Sequence, residues 1–129
     1  MPSIRPIQAP GTAIPVGHYS QAIVHNGLVF VSGQSPLHIE TGKPIVGTIE
    51  EQTELSLRNT ERILKAAGSS LDRCLQVTIY ISKIEDWAAV NATYKRIMGD
   101  HRPARAIVPV APLHHGTGIE IQVIAAVAG

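Results

Sequence analysis

Residues 48–82, TIEEQTELSLRNTERILKAAGSSLDRCLQVTIYIS, change hydrophobic period once, from that of a helix to that of a strand. Thr53, Leu57, Thr60, Leu64 and Ala67 recur at helical spacing, with Ile49, Ser56 and Ile63 beside the stripe. Thr48 followed by Glu51 is a capping-box pair: the hydroxyl and the carboxylate satisfy amides that a first helical turn leaves unpaired. Gly68 is a natural stop. From Leu75 onward Leu75, Val77, Ile79 and Ile81 alternate with Gln76, Thr78, Tyr80 and Ser82. The strand therefore offers one apolar face to a helix and one hydroxyl-rich face to something else.

Toward the N-terminus, four prolines and two glycines in residues 1–17 predict an extended lead-in. An apolar stretch begins at residues 18–24, Asn26-Gly27 supplies a tight two-residue turn, and residues 28–32 resume as strand, which makes a first hairpin. Gly33 ends it, either as a plain terminator or as a point where backbone can approach a ligand. Residues 36–47 read as a loop. Toward the C-terminus, Ser82 and Glu85 form a second capping pair, and Trp87, Val90, Tyr94 and Ile97 give another helical stripe that Gly99 stops. Residues 104–110 are strand, with Pro109 placing it at a sheet edge. A turn-rich loop at 111–118 leads to the last strand, 119–126. Hairpin, helix, strand, helix, strand, strand describes an α+β sandwich: a mixed sheet with two helices on one face. The uncovered face must meet water or another subunit, so a homo-oligomer is expected.

The 129 residues suit one domain, 1–129, large enough to bury about two-thirds of its extended surface. Eleven basic and ten acidic side chains leave a formal charge of +1, with no Lys/Arg run to track a phosphate backbone, so nucleic acid is not an expected partner. The single cysteine, Cys74, excludes an intrachain disulfide and reads as packing rather than nucleophile. The lead-in has prolines where a secretory signal needs an apolar helix, and no apolar run reaches the ~18 residues of a membrane span. A soluble cytoplasmic protein is expected.

Residues 103–121, PARAIVPVAPLHHGTGIEI, set one arginine and one glutamate inside apolar segments. A charge so placed must be paired or used. For Arg105 and Glu120 two readings stand open: a structural ion pair or solvent-tipped side chains, and a functional site.

Several short motifs occur in a recognisable order: Gly17-His18-Tyr19-Ser20-Gln21-Ala22, Val31-Ser32-Gly33-Gln34, Ala67-Gly68-Ser69-Ser70-Leu71, Val90-Asn91-Ala92-Thr93-Tyr94, Pro103-Ala104-Arg105 and Ile119-Glu120-Ile121. Over nearly its whole length the chain resembles the Rid family of reactive intermediate deaminases, also called the YjgF/UK114 family. The resemblance implies a chorismate-mutase-like fold assembled as a homotrimer, with sites in the clefts between subunits. It also implies that the last two strands are not neighbours, the strand around Val77 lying in the middle of the sheet.

The same resemblance implies hydrolysis of 2-imino and enamino acids such as 2-aminoacrylate to 2-keto acids and ammonia, without metal or bound cofactor. Arg105 would hold the substrate carboxylate, for which a guanidinium has the matching planar fork. Glu120 would orient or deprotonate the attacking water. Tyr19 would close the pocket, Ser32 and Gly33 would line it, and Asn91 would border it.

Three departures point to a different subgroup of the family. Ile107 stands where the best-known branch has a cysteine, His18 replaces a usual proline, and His114-His115 occupies the place of a common Pro-Lys pair. The adjacent histidines read as solvated loop residues or as a proton donor at the pocket mouth; the histidine and cysteine spacing does not suggest a metal site. Competing readings are a non-catalytic trimer that binds small carboxylates or partner proteins, and, ranked last because the near-neutral charge attracts a polyanion weakly, an endoribonuclease.

Overall fold

The computed structural model describes residues 3–128. Among the described residues eight strands, β1 (Arg5–Ile7), β2 (Ala22–His25), β3 (Leu28–Gln34), β4 (Leu37–His38), β5 (Lys43–Pro44), β6 (Cys74–Ile81), β7 (Ala104–Pro109) and β8 (Ile119–Ala126), accompany two α-helices, α1 (Ile49–Ala66) and α2 (Trp87–Met98). Six strands form one mixed sheet in the order β1-β2-β3-β8-β6-β7, and β4 and β5 make a separate small hairpin. The helices pack together, and α1 lies on β8 and β3. This is the expected α+β layering.

Helix α1 begins as its sequence dictates. The Thr48 side chain accepts from the Glu51 amide at 3.1 Å, while the Glu51 carboxylate accepts from the Thr48 amide at 3.0 Å. Those bonds hold the Glu51 carboxyl below its ordinary pKa. Its inner face buries Thr53, Ser56, Leu57, Thr60, Ile63 and Leu64. Facing it, Val77, Ile79 and Ile81 of β6 and Ile119, Ile121, Val123 and Ala125 of β8 are buried. Two-residue periodicity thus supplies the floor of the core and helical periodicity its roof.

Strand β8 is inserted between β3 and β6, antiparallel to both, and β7 runs parallel to β6 at the edge. A parallel pair needs a crossover, and α2 provides it. That separates the last two strands, as the family resemblance implied, and places Pro109 on the edge strand where a missing donor is tolerated.

Several local expectations are corrected. Asn26 (φ 52°) and Gly27 (φ 78°) make the predicted turn, but the hairpin strand starts at Ala22 rather than residue 18, because the Tyr19 amide folds back onto the Gly17 carbonyl at 3.1 Å. Gly33 does not end β3. The strand continues to Gln34 through a bulge, Val31 pairing with Val123 and Gln34 with Ile121. A second irregularity, between Cys74 and Gln76, turns Leu75 outward and gives its inward place to Cys74.

The second capping pair does not form. The Ser82 amide bonds to the Gly118 carbonyl at the sheet end, and a 3-10 turn, Ile84–Asp86, leads into α2 without a side-chain cap. The extended lead-in contains β1, and the loop at 36–47 contains the β4–β5 hairpin.

Because Ile79 is fully buried in the middle of the sheet, Ile79→Ala is expected to lower unfolding free energy by about 3 kcal/mol. Urea titration should show this as a lower midpoint with an unchanged slope.

Candidate active site

The residues singled out by sequence fall into two groups on opposite faces of the sheet. Glu120 alternates with the buried Ile119 and Ile121, so it projects from the open face, beside its cross-strand partner Tyr80. Gly33 lies under it. A β-carbon added at Gly33 would come within 2.8 Å of the Glu120 carboxyl carbon and 3.1 Å of its Cγ. The bulge in β3 and the missing side chain together create the space that the carboxylate occupies. Ser35 donates to Glu120 Oε1 at 3.3 Å. The Ser32 hydroxyl donates to the Ser20 carbonyl at 2.6 Å, which tethers the bend carrying Tyr19, whose ring is 56% exposed. Glu120, Gly33 and Ser35 are thus in contact, while Ser32 connects the Tyr19 bend to the same strand, β3.

Arg105 belongs to the other group. It pairs in register with the buried Val77 on the parallel strand β6, and Ile107 with Ile79, so both point toward the helix layer. Asn91 Oδ1 of α2 accepts from Arg105 Nη1 at 2.9 Å. The guanidinium lies 4.8 Å from the Tyr94 ring centre and 5.9 Å from that of Trp87. Ring and amide hold the cation in one orientation, and its remaining N–H groups can still engage a ligand. Ile107 packs against the core below.

Among the described residues Arg105 and Glu120 form no ion pair with each other. The sheet stands between them, so the reading of this pair as a structural ion pair is removed. Equally, one chain cannot bring the guanidinium and the carboxylate to one small molecule.

Trp87, Asn91 and Tyr94 share one face of α2 at positions i, i+4 and i+7, a spacing visible in the sequence, where Trp87 and Tyr94 read only as a packing stripe. The contact of Ser35 with Glu120 had no sequence signal, because it spans 85 positions. A cleft of about 510 Å³ beside Arg105 gathers Lys95, His101 and Arg102, basic residues that lie close to Arg105 in the chain but are interleaved with apolar and acidic ones.

The histidines at 114 and 115 sit in an exposed turn with ring centres 3.9 Å apart. Neither ring hydrogen-bonds to Arg105 or Glu120 among the described residues. His18 is exposed. No three His, Cys, Asp or Glu side chains converge as a metal-binding group among the described residues. Burial, with a smaller contribution from Asp72, pushes the Cys74 thiol up to about 11, which keeps it protonated and unreactive near neutrality.

Residues 10–127 match the family described as Endoribonuclease L-PSP. The mitochondrial protein mmf1 of Schizosaccharomyces pombe is 42% identical over 123 residues, 93% of this chain and 74% of that protein. The crystal structure of the YjgF gene product from E. coli superposes with a TM-score of 0.88 at 31% identity, covering 95% of this chain and 98% of that one. That of E. coli TdcF with bound serine gives 0.88 at 32% identity, covering 96% and 98%.

The chain belongs to the Rid (YjgF/L-PSP) family. This carries the fold with it, whereas the mitochondrial relative shows that members do not share one compartment. No helix among the described residues is long and apolar enough to cross a membrane.

Tyr94 adds a detail that packing alone does not explain. Its hydroxyl is buried without a hydrogen-bond partner, and burial pushes its pKa up to about 12. Removing an unsatisfied buried hydroxyl while keeping the ring under Arg105 relieves a desolvation cost. Tyr94→Phe is therefore expected to raise unfolding free energy by about 1 kcal/mol, measured by urea titration.

Proposed function

We propose that this protein hydrolyses 2-imino and enamino acids of the 2-iminopropanoate and 2-iminobutanoate type to 2-keto acids and ammonia, at sites shared between the subunits of a homotrimer. The observation that carries this reading is the division of Arg105 and Glu120 between two faces. Arg105 is exposed and Glu120 half-buried; each is oriented and unpaired with the other, and a site using both closes only when the open face of one chain meets the β7 edge of a neighbour. Exposed Phe30, Leu75 and Val108 give the open side apolar surface for such a contact. The bound serine of TdcF supports recognition of a small amino-acid carboxylate in this family.

In this site the guanidinium of Arg105 holds the substrate carboxylate, with Asn91 and Tyr94 fixing its plane. Glu120 takes a proton from a water as that water adds to the imine carbon. The new C–O bond gives a carbinolamine, the nitrogen is protonated, and the C–N bond breaks to release ammonia and leave the keto group. Nothing is oxidised or reduced, and the step needs no cofactor. Tyr19, Ser32 and Gly33 line the Glu120 side, while Ile107 gives the Arg105 side an apolar wall. The cytoplasm is the proposed compartment.

A second reading has support of its own. A bound amino acid, as in TdcF, is equally what a non-catalytic carboxylate-binding trimer would show. The family's endoribonuclease description favours a third reading, but a net charge of +1 gives little long-range attraction for RNA.

Arg105→Ala is expected to lower kcat/KM for 2-iminobutanoate by at least about 30-fold, the loss of a charge-assisted bidentate contact. Glu120→Gln should lower kcat; unchanged turnover with keto-acid binding intact selects the binding-only reading. When the two variant chains are unfolded, mixed equally and refolded together, about one quarter of the sites recover both residues if each site draws them from different chains. No recovery would contradict the shared site. Gly33→Ala should keep the far-ultraviolet circular dichroism of the parent and lower kcat, because its methyl group displaces the Glu120 carboxylate.

A further inference from the structure

The cleft beside Arg105 is larger than a three- or four-carbon imino acid fills. Its volume of about 510 Å³ lies within the range, about 300–1,000 Å³, of clefts that hold drug-sized ligands. It runs along the C-terminal turn of α2 and the loop before β7, and Lys95, His101 and Arg102 line it together with Arg105. Asp100 is the one carboxylate in that lining.

The basic residues are not otherwise engaged in the same way. Arg96, adjacent on α2, spends its charge on Glu54 at 2.8 Å. Among the described residues neither Lys95 nor Arg102 has a carboxylate within 4.0 Å. The His101 ring is turned inward, with Nε2 2.8 Å from the Cys74 carbonyl oxygen, and forms the wall of the cleft. Complementing the α2 dipole accounts for Lys95, but Arg102 lies beyond the helix end and has no such role.

We propose that this cleft is a subsite for a second carboxylate, so that the preferred substrates are 2-imino acids with an acidic side chain, the imines of amino dicarboxylic acids. The inference rests on the reading that Arg105 holds the α-carboxylate. The side chain then extends along the cleft toward Lys95 and Arg102. The helix end here presents carbonyl oxygens, which disfavour a phosphate dianion more than a singly charged carboxylate, so the attraction for the carboxylate comes from the Lys95 and Arg102 side chains.

The test compares 2-oxoglutarate with 2-oxobutanoate as ligands of the full-length protein, by titration calorimetry at low ionic strength. The dicarboxylate is expected to bind about fivefold more tightly, the scale of a solvent-accessible ion pair. Lys95→Met and Arg102→Met should each shrink that ratio, and together bring it to about one. Both side chains are exposed, so these variants retain the fold, which circular dichroism checks.

A ratio near one in the parent, or one that survives the double substitution, overturns the subsite. Single-stranded RNA displacing bound 2-oxobutanoate at lower concentration than 2-oxoglutarate does would assign the cleft to a polyanion and overturn it too. Hydrolysis of 2-iminobutanoate is measured in parallel. Accelerated hydrolysis with a ratio near one removes the subsite and leaves the deaminase. A fivefold ratio with no acceleration of either 2-iminobutanoate or 2-iminoglutarate removes the deaminase and leaves the subsite.

Discussion

Everything in this molecule depends on the burial of one face of β6 and β8 in the core beneath the two helices. Val77, Ile79 and Ile81 on one strand and Ile119, Ile121, Val123 and Ala125 on the other are buried together against Leu57, Ile63 and Leu64. Since a strand alternates sides at every residue, committing these positions inward leaves Glu120 no choice but the open face. The same commitment, carried across the parallel register of β6 and β7, sends Arg105 and Ile107 toward the helices. A slip of one residue between β6 and β8 would reverse Glu120, and one between β6 and β7 would reverse Arg105 and Ile107, each exposing apolar side chains, so register and site are fixed by the same apolar contacts.

On that frame the two charged groups are prepared by different means. Glu120 owes its place to an absence, because the bulge in β3 and the bare α-carbon of Gly33 open the space its carboxylate fills. Arg105 owes its orientation to contacts, the Tyr94 ring beneath and the Asn91 amide at its edge. Neither charge is neutralised by the other across the sheet. A charge that is unpaired but held in one orientation retains its ability to bind an ion while losing less conformational freedom when it does so.

Buried polar side chains tie the irregular segments to this frame. Gln21 is 4% exposed; its carbonyl oxygen accepts from the Ala9 amide at 2.8 Å and its amide donates to Thr12 Oγ1 at 2.9 Å, which fastens the lead-in to β2. Asn59, on the inner side of α1, donates to the Leu37 carbonyl at 2.8 Å and to that of Ser35 at 3.4 Å. Helix α1 thereby positions the loop whose Ser35 hydroxyl reaches Glu120. Neither residue announces this in the sequence, where a lone Gln or Asn reads as surface.

Local physics made much of the architecture legible. The capping box at Thr48 and Glu51, the Asn26-Gly27 turn, the stripe of α1 and the alternation along β6 from Val77 to Ile81 each depend on residues within a few positions of one another, and each forms as read. Where short-range patterns misled, a longer-range contact had won. Ser82 gives its amide to Gly118 at the sheet end in place of starting a helix, and an irregularity in the pairing with β8 turns Leu75 outward. The sequence by itself determined the two helices and the longer strands, the α+β class, the family likeness and the two charged residues that need explaining. Only the tertiary structure decided that those residues stand on opposite faces and that Ser35 reaches Glu120 across 85 positions. The reason is that strand order and register are settled by which apolar faces bury together, a choice made between segments far apart in the chain.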